Sequence, residues 1–282
     1  MPSPKMLNIG CGTTHHPDWI NLDVSSSDPS VLPVDINKGL PFSSDSITVC
    51  YSSHLLEHLD KVGARYFVAE CVRVLNSGGV IRLAVPDLEN IAREYLRVLD
   101  LVLAGDKTRK SDYDWIMLEL YDQTFRNHSG GEMATYLFDE HLPNEKYVIA
   151  RCGMEAEKLI KFGRQRKTQA DSGTIGQKVS WLSKAYRLIR DSNQRRETFL
   201  KFFLKDEYDA LQIGRFRKGG EVHQWMYDRF SLACLLEQAG FVDVKICVAS
   251  ESRIPEYEKY ALDALNGVVR KPDSIFIEAS KP

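Results

Sequence analysis

The chain has 282 residues, of which 43% are hydrophobic and 27% are charged, and its formal net charge is −2. This composition is typical of a globular protein, and the lack of an apolar run of about 18 residues predicts no membrane-spanning helix. The first residues lack the apolar core of a signal peptide, and the six cysteines form no Cys-x-x-Cys pair. These features predict a cytoplasmic protein with free thiols rather than disulfides or a cysteine zinc site.

The first predicted element is a short buried strand that ends in a glycine turn. Met6–Ile9 is apolar, and Gly10 and Gly12 follow it. A turn of this kind leaves backbone N–H groups unpaired at the carboxyl end of a strand, where open α/β sheets bind ligands. Residues 19–23 predict a second strand that ends in Asp23, an acid placed to hold the two hydroxyls of a ribose. An ordinary strand and turn with a surface aspartate fits the same residues.

The pattern then alternates between strands and a helix. Residues 31–35 and 46–51 predict two further strands. Residues 64–75 carry apolar side chains at helical spacing, the glycines at 78 and 79 end that helix, and residues 80–85 predict a fifth strand. This order predicts a right-handed crossover in a parallel sheet.

Residues 88–228 predict a mainly helical insertion or lid within a single domain of residues 1–282. Its predicted helices cover residues 88–103, 113–125, 155–162, 179–189 and 201–211, with a polar link at 164–177. The sheet pattern returns with a helix that starts at residues 228–231 and ends at Gly240. Two strands follow, at 242–248 and 274–279.

The charge of the insertion is uneven, with 17 Lys and Arg against 8 Asp and Glu between residues 151 and 218. This excess predicts a docking surface for an anionic acceptor or a peripheral membrane contact, and an ordinary solvated helical surface fits equally well. No nucleic-acid partner is expected.

Six motifs in this order resemble the class I S-adenosylmethionine-dependent methyltransferases, and most of all their small-molecule branch. They are LNIGCGT at 7–13, LD at 22–23, VD at 34–35 followed by LPF at 40–42, SHLLEH at 53–58, VLNSGGV at 74–80 and LLEQAGF at 235–241. The resemblance implies a Rossmann-like α/β fold with a seven-stranded methyltransferase sheet, mostly parallel, with one reversed strand near the C-terminus. It also implies S-adenosyl-L-methionine as the cofactor.

The resemblance assigns a cofactor role to each matching position. Gly10 and Gly12 would pass under the methionine part, Asp23 would hold the ribose, and Asp35 and Ile36 would meet the adenine. The implied cofactor-binding residues are Asn8, Gly10, Cys11, Gly12, Asp23, Asp35, Ile36, Ser53 and His54.

Two departures from the family pattern concern the cofactor side. Asn8 stands where the family usually has Asp or Glu. Nine residues separate the first two strands, fewer than the ~10–12 of a full crossover. The first helix is therefore expected to be a single turn or missing, and the connection to the third strand is also too short for a helix.

The chemistry predicted by the resemblance is methyl transfer to a small-molecule acceptor, with a hydroxyl of a sugar, glycoconjugate or natural product as the leading hypothesis. An oxygen acceptor benefits from a general base, for which histidine is suited. His223, just before the last helix, is the first candidate, and His128 is the second.

Three other functions fit parts of the same sequence. A non-catalytic S-adenosylmethionine-binding protein on the same fold is the main alternative. A nicotinamide oxidoreductase needs a third glycine where this chain has His15. The pattern H-x-x-E-H at 54–58 occurs in zinc peptidases, but there it lies inside a long helix, whereas here it directly follows a strand. The sequence therefore predicts no metal site.

Overall fold

The computed structural model describes residues 5–171 and 192–282. The helix predicted at 179–189 lies outside the described residues. Within them, no helix is long and apolar enough to cross a membrane.

A seven-stranded sheet forms the centre of the fold, in the order β3-β2-β1-β4-β5-β9-β6. Its strands are β1 Met6–Ile9, β2 Ile20–Asp23, β3 Val31–Pro33, β4 Ile47–Ser53, β5 Leu75–Pro86, β6 Val242–Cys247 and β9 Ser274–Ser280. The first five strands pair in parallel, and β9 pairs antiparallel with both β5 and β6. The predicted mostly parallel sheet with one reversed strand is confirmed. A small hairpin of β7 (Ala264–Leu265) and β8 (Val268–Val269) precedes β9.

One face of the sheet is covered by two helices, α1 (Lys61–Val74) and α8 (Arg229–Gln238). Each helix begins at an aspartate whose carboxylate accepts hydrogen bonds from the first backbone N–H groups, Asp60 for α1 and Asp228 for α8. Aliphatic side chains from these helices and from β1, β4 and β5 form the largest buried cluster.

Strand β5 is longer than the predicted 80–85. It pairs with β4 on both sides of the glycine turn, at Leu75 and again from Val80 onward. Leu75, the last residue of the predicted helix, therefore belongs to the sheet.

The opposite face of the sheet has no helix from the first two connections. No helix occurs between β1 and β2, as predicted, and none occurs between β2 and β3. The chain after β6 covers this face instead. Its residues Ile254, Tyr257, Tyr260 and Leu262 pack on Met6, Trp19, Val49 and Tyr51.

A buried ionic network lies beside this aromatic cluster. The guanidinium of Arg82 on β5 donates to Asp263 at 2.7 Å and to Glu278 at 2.7 Å, and neither it nor the two carboxylates reach solvent. Burial lowers the pKa of Arg82, but the neighbouring carboxylates outweigh this and raise the pKa above its usual value. The network ties β5 and β9 to the segment that replaces the missing helices.

The described residues between β5 and α8 are mainly helical. Their helices are α2 Leu88–Leu103, α3 Lys110–Phe125, α4 Gly131–Leu137, α5 Glu145–Asp171, α6 Ser192–Leu204 and α7 Glu207–Arg217. That this insertion is part of one domain, and acts as a lid, stays a prediction.

Two predicted segments of the insertion differ from the structure. The helix at 155–162 and the start of the polar link belong to α5, which is interrupted at Gly153 with φ 64° and ψ −142°. A Cβ at Gly153 would lie 2.5 Å from the carbonyl oxygen of Arg270, so this break lets α5 approach the loop before β9. The predicted helix at 201–211 is two helices, separated at Lys205, where φ is 46°.

Candidate cofactor site

The glycine turn after β1 folds back onto β2. The N–H groups of Gly10 and Cys11 both donate to the carbonyl of Leu22, at 2.8 and 3.0 Å. The N–H of Gly12 donates to Asp23 Oδ2 at 2.9 Å. The expectation that these N–H groups stay unpaired is wrong, because with no helix after the turn they bond to the neighbouring strand.

Asn8 fixes the far end of this turn. Its amide donates to the carbonyl of Thr14 at 3.0 Å and to Asn21 Oδ1 at 3.1 Å, and the side chain is 1% exposed. An aspartate could make neither bond, because an ionised carboxylate only accepts. The amide of Asn8 is therefore suited to the two acceptors that face it.

Two cavities meet at Gly10. The first, of about 350 Å³, lies between the glycine turn, the end of β4 and the loop before β9. Its predicted cofactor residues are Asn8, Gly10, Cys11, Gly12, Ser53 and His54. The second, of about 680 Å³, extends from Gly10 along the ends of β2 and β3, and its predicted residues are Gly10, Asp23, Asp35 and Ile36.

Gly10 is the residue that both cavities share, and it lies directly under Leu55. Its φ is 70°, and a Cβ there would meet the Leu55 side chain at 3.0 Å. A larger residue would therefore press on Leu55 at the point where the two cavities meet. All nine predicted cofactor residues line one cavity or the other.

A comparison with protein families covers the strands that form these two cavities. A family model described as a methyltransferase domain matches residues 7–83. Residues 7–83 are therefore similar to a methyltransferase domain. The matched residues run from β1 into β5, and with the strand order they identify the class I S-adenosylmethionine-dependent methyltransferase fold.

Three of the solved structures that are similar to this chain come from proteins described as methyltransferases or from a complex that contains one. A methyltransferase of Archaeoglobus fulgidus is 12% identical, and the match covers 99% of this chain and 87% of that chain. A methyltransferase of Thermotoga maritima is also 12% identical, and the match covers 100% of this chain and 84% of that chain. Both structures have a TM-score of 0.39. A chain from the complex of the Haloferax volcanii Trm112 methyltransferase activator with a methyltransferase is 20% identical, with a TM-score of 0.26. There the match covers 34% of this chain and 53% of that chain. The fold assignment rests on the strand order and the family match.

A search of curated proteins found no match.

His54 lies at the first cavity. It directly follows β4, with φ 53°. Its Nε2 lies 2.8 Å from Ser274 Oγ, and its Nδ1 lies 3.2 Å from Glu57 Oε1. His54 is therefore placed at the carboxyl end of β4, and its cofactor role stays a prediction.

The two candidate bases lie elsewhere. His223 is 5% exposed, packs edge-on against the His58 ring at 4.7 Å, and lines neither of the two cavities. Burial lowers the pKa of His223 to about 3. His128 is exposed and lines a separate cavity of about 590 Å³ in the insertion, which shares no residue with the other two.

Sequence reasoning missed the contribution of two distant segments. The first cavity is lined by Met154 and Glu155 of α5, by Arg270 and Lys271 before β9, and by Ser274 at the start of β9. A signal for the second group exists, because an antiparallel strand begins at the edge where its parallel neighbours end. The basic pair before β9 is therefore placed at the ligand edge of the methyltransferase sheet.

Proposed function

We propose that the protein is an S-adenosylmethionine-dependent methyltransferase that acts on a small-molecule acceptor. The observation that carries this proposal is the pair of cavities joined at Gly10, with acids suited to a nucleoside in one and paired charges in the other. Their volumes lie in the range of small-molecule sites, about 300–1,000 Å³.

The nucleoside end of the cofactor is assigned to the second cavity. Each carboxylate oxygen of Asp23 accepts one backbone bond, Oδ1 from Ser25 and Oδ2 from Gly12. A carboxylate oxygen has two lone pairs, so both oxygens keep one for a ribose hydroxyl. Asp35 begins the turn that carries Ile36, and the N–H of Asn37 lowers the pKa of its carboxyl. An ionised Asp35 accepts a hydrogen bond from the adenine amino group.

The amino-acid end is assigned to the first cavity. Glu155 and Lys271 line it with opposite charges, as recognition of an ammonium and a carboxylate on one ligand requires. With the two ends on either side of Gly10, the sulfonium would lie above the glycine turn.

The proposed acceptor is anionic, with a sugar or glycoconjugate hydroxyl as the methylated group. Arg217 and Lys218, at the end of α7, line the second cavity together with Gln224. They belong to the basic stretch 151–218 and supply positive charge where an acceptor phosphate or carboxylate would bind.

The proposal does not depend on a buried base. Methyl transfer from a sulfonium is an in-line displacement, in which holding donor and acceptor in line contributes most. His223 is too buried to reach an acceptor in either cavity, and a group with a pKa of about 3 is a weak base at neutral pH.

Calorimetric titration with S-adenosylhomocysteine tests the proposal. Asp23→Ala removes a pair of charge-assisted hydrogen bonds and is expected to weaken binding by about 1.5–3 kcal/mol. Asp18→Ala is the matched control, because Asp18 is exposed and lines neither cavity. A wild-type chain that releases no heat at high ligand concentration, or equal affinity of Asp23→Ala and wild type, would contradict the site.

A non-catalytic cofactor-binding protein is the second candidate, favoured by the displacement of both predicted bases from the two cavities. Turnover separates it from an enzyme. With a panel of nucleotide-linked and phosphorylated sugars, an enzyme releases S-adenosylhomocysteine in proportion to the methylated product. Binding without release for every acceptor in the panel would favour the non-catalytic protein.

A further inference from the structure

Beside the cofactor cavities, four side chains converge on one buried point. They are His54, Glu57 and His58 from the turn after β4, and His223 from the segment before α8. We call them the histidine–glutamate cluster. Glu57 is fully buried and His223 is 5% exposed. The backbone holds the two segments together, because the carbonyl of Glu57 accepts from the N–H of Gln224 at 2.7 Å and from that of Trp225 at 3.2 Å.

Three polar atoms at the centre of this cluster lack partners. Glu57 Oε2, Nδ1 of His58 and Nδ1 of His223 are buried without a hydrogen bond from any described residue, whereas Glu57 Oε1 has His54 Nδ1 at 3.2 Å. Each unsatisfied atom costs about 1–3 kcal/mol. Three of them side by side indicate that a further group belongs between them.

We propose that Glu57, His58 and His223 bind a divalent transition-metal ion, with zinc as the ion that this ligand set favours. One ligand atom from each residue lies within 4.8 Å of the other two. Metal bonds of ~2.0–2.2 Å at tetrahedral angles place ligand atoms roughly 3.3–3.6 Å apart, so the side chains need to close by up to about 1.5 Å. Two imidazoles and one carboxylate are a recurrent set for zinc, and iron(II) also accepts them.

The second nitrogen of His58 supports this assignment. His58 makes a hydrogen bond to the backbone of Val222, and since Nδ1 is unpaired, that bond uses Nε2. A metal-binding histidine usually donates its other N–H to a carbonyl or carboxylate, which leaves the free nitrogen as a ligand.

An ion pair between Glu57 and a protonated His54 is the competing explanation. It would place a donor 3.2 Å from Glu57 Oε1. It leaves Nδ1 of His58, Nδ1 of His223 and the second oxygen of Glu57 without partners, whereas a metal ion accounts for all three residues.

This set differs from the one that the H-x-x-E-H pattern suggests. Leu56–His58 is a single 3-10 turn rather than part of a long helix, so the two histidines of the pattern do not act together. The partner of Glu57 and His58 is His223, far along the chain. The proposed metal ties the turn after β4 to the residues before α8, and it does not depend on methyl transfer.

Metal content tests the proposal directly. The full chain is stripped with a chelator, incubated with Zn²⁺, passed through a desalting column and measured by mass spectrometry of its elements. The wild type is expected to keep about one zinc per chain, and His223→Gln is expected to lose at least about nine-tenths of the bound zinc. His141→Gln is the matched control, since His141 is exposed. Less than about a tenth of an equivalent in the wild type, or a folded His223→Gln chain that keeps its zinc, overturns the proposal.

Because His223 is buried, its variant is first checked for fold by circular dichroism. If that variant is unfolded, Co²⁺ titration of the stripped wild type decides. Visible absorption that saturates at about one equivalent and is displaced by Zn²⁺ supports the site. Absorption that never saturates overturns it.

Discussion

The two faces of the sheet are covered in different ways. One face carries α1 and α8, and its contacts are aliphatic side chains at helical spacing. The other face carries the irregular chain between β6 and β7, and its contacts are aromatic rings and the buried Arg82 network. The connections between β1, β2 and β3 are too short to supply helices, so a segment distant in sequence covers this face.

The difference affects the candidate site. The helical face contributes Gly63 of α1 to the second cavity and no residue of α8 to either cavity. The irregular face brings Leu262 and Asp263 to the first cavity, where the loop before β9 adds Arg270 and Lys271. A disturbance of the irregular face is therefore expected to weaken ligand binding as well as stability.

The largest expected effect is the loss of Arg82. Arg82→Met leaves Asp263 and Glu278 as buried carboxylates without a cation, and removal of one partner of a buried ion pair costs about 3–5 kcal/mol. Urea unfolding measures this loss. Arg93→Met is the control, because the Arg93 side chain is 73% exposed in a pair with Glu89, and such pairs are worth under about 1 kcal/mol.

Leu236→Ala supplies the comparison on the helical face. It creates a cavity under α8 and is expected to cost about 2–5 kcal/mol. At a temperature where both variants are folded, Arg82→Met should bind S-adenosylhomocysteine more weakly than Leu236→Ala does. Equal affinities would show that the two faces do not differ in their effect on the site.

Asn8→Asp should have a smaller effect, although it restores the residue type usual in the family. The new carboxylate would face the carbonyl of Thr14 and the amide oxygen of Asn21 without a proton to donate, at a cost of about 1–3 kcal/mol. Thermal unfolding compares it with Asn127→Asp, a change of the same kind at an exposed position. An Asn8→Asp chain as stable as the wild type would mean that the bonds to Thr14 and Asn21 contribute nothing.

Local patterns predicted the elements whose cause is local. The spacing of apolar residues predicted α1, and Asp228 predicted the start of α8. The strand endings placed Asp23 and Asp35 at one edge of the sheet. The segment that covers the irregular face could not be predicted from a local pattern. Tyr257 and Tyr260 lie in one 3-10 turn, and the residues that they contact across the sheet are distant in sequence, so no local pattern indicates these contacts.

In the candidate site too, the contiguous motifs could be predicted from the sequence, and the contacts between distant segments could not. The cofactor residues of the first two strands belong to contiguous motifs, and the structure brings them to the two cavities. Glu57 and His223 are brought together only by tertiary packing, and Gly153 opens α5 toward Arg270 through a contact that no local signal encodes.

The division of the cofactor at Gly10 is tested most directly by two ligands that differ in the amino-acid part. S-adenosylhomocysteine carries this part and 5′-methylthioadenosine lacks it. Lys271→Met is expected to weaken S-adenosylhomocysteine by about tenfold or more and to leave 5′-methylthioadenosine unchanged, because a lost charge-assisted hydrogen bond costs about 1.5–3 kcal/mol. Lys245→Met, at an exposed position on β6, should change neither affinity. Equal weakening of the two ligands by Lys271→Met, or no weakening of either, would contradict the placement of the amino-acid end in the first cavity.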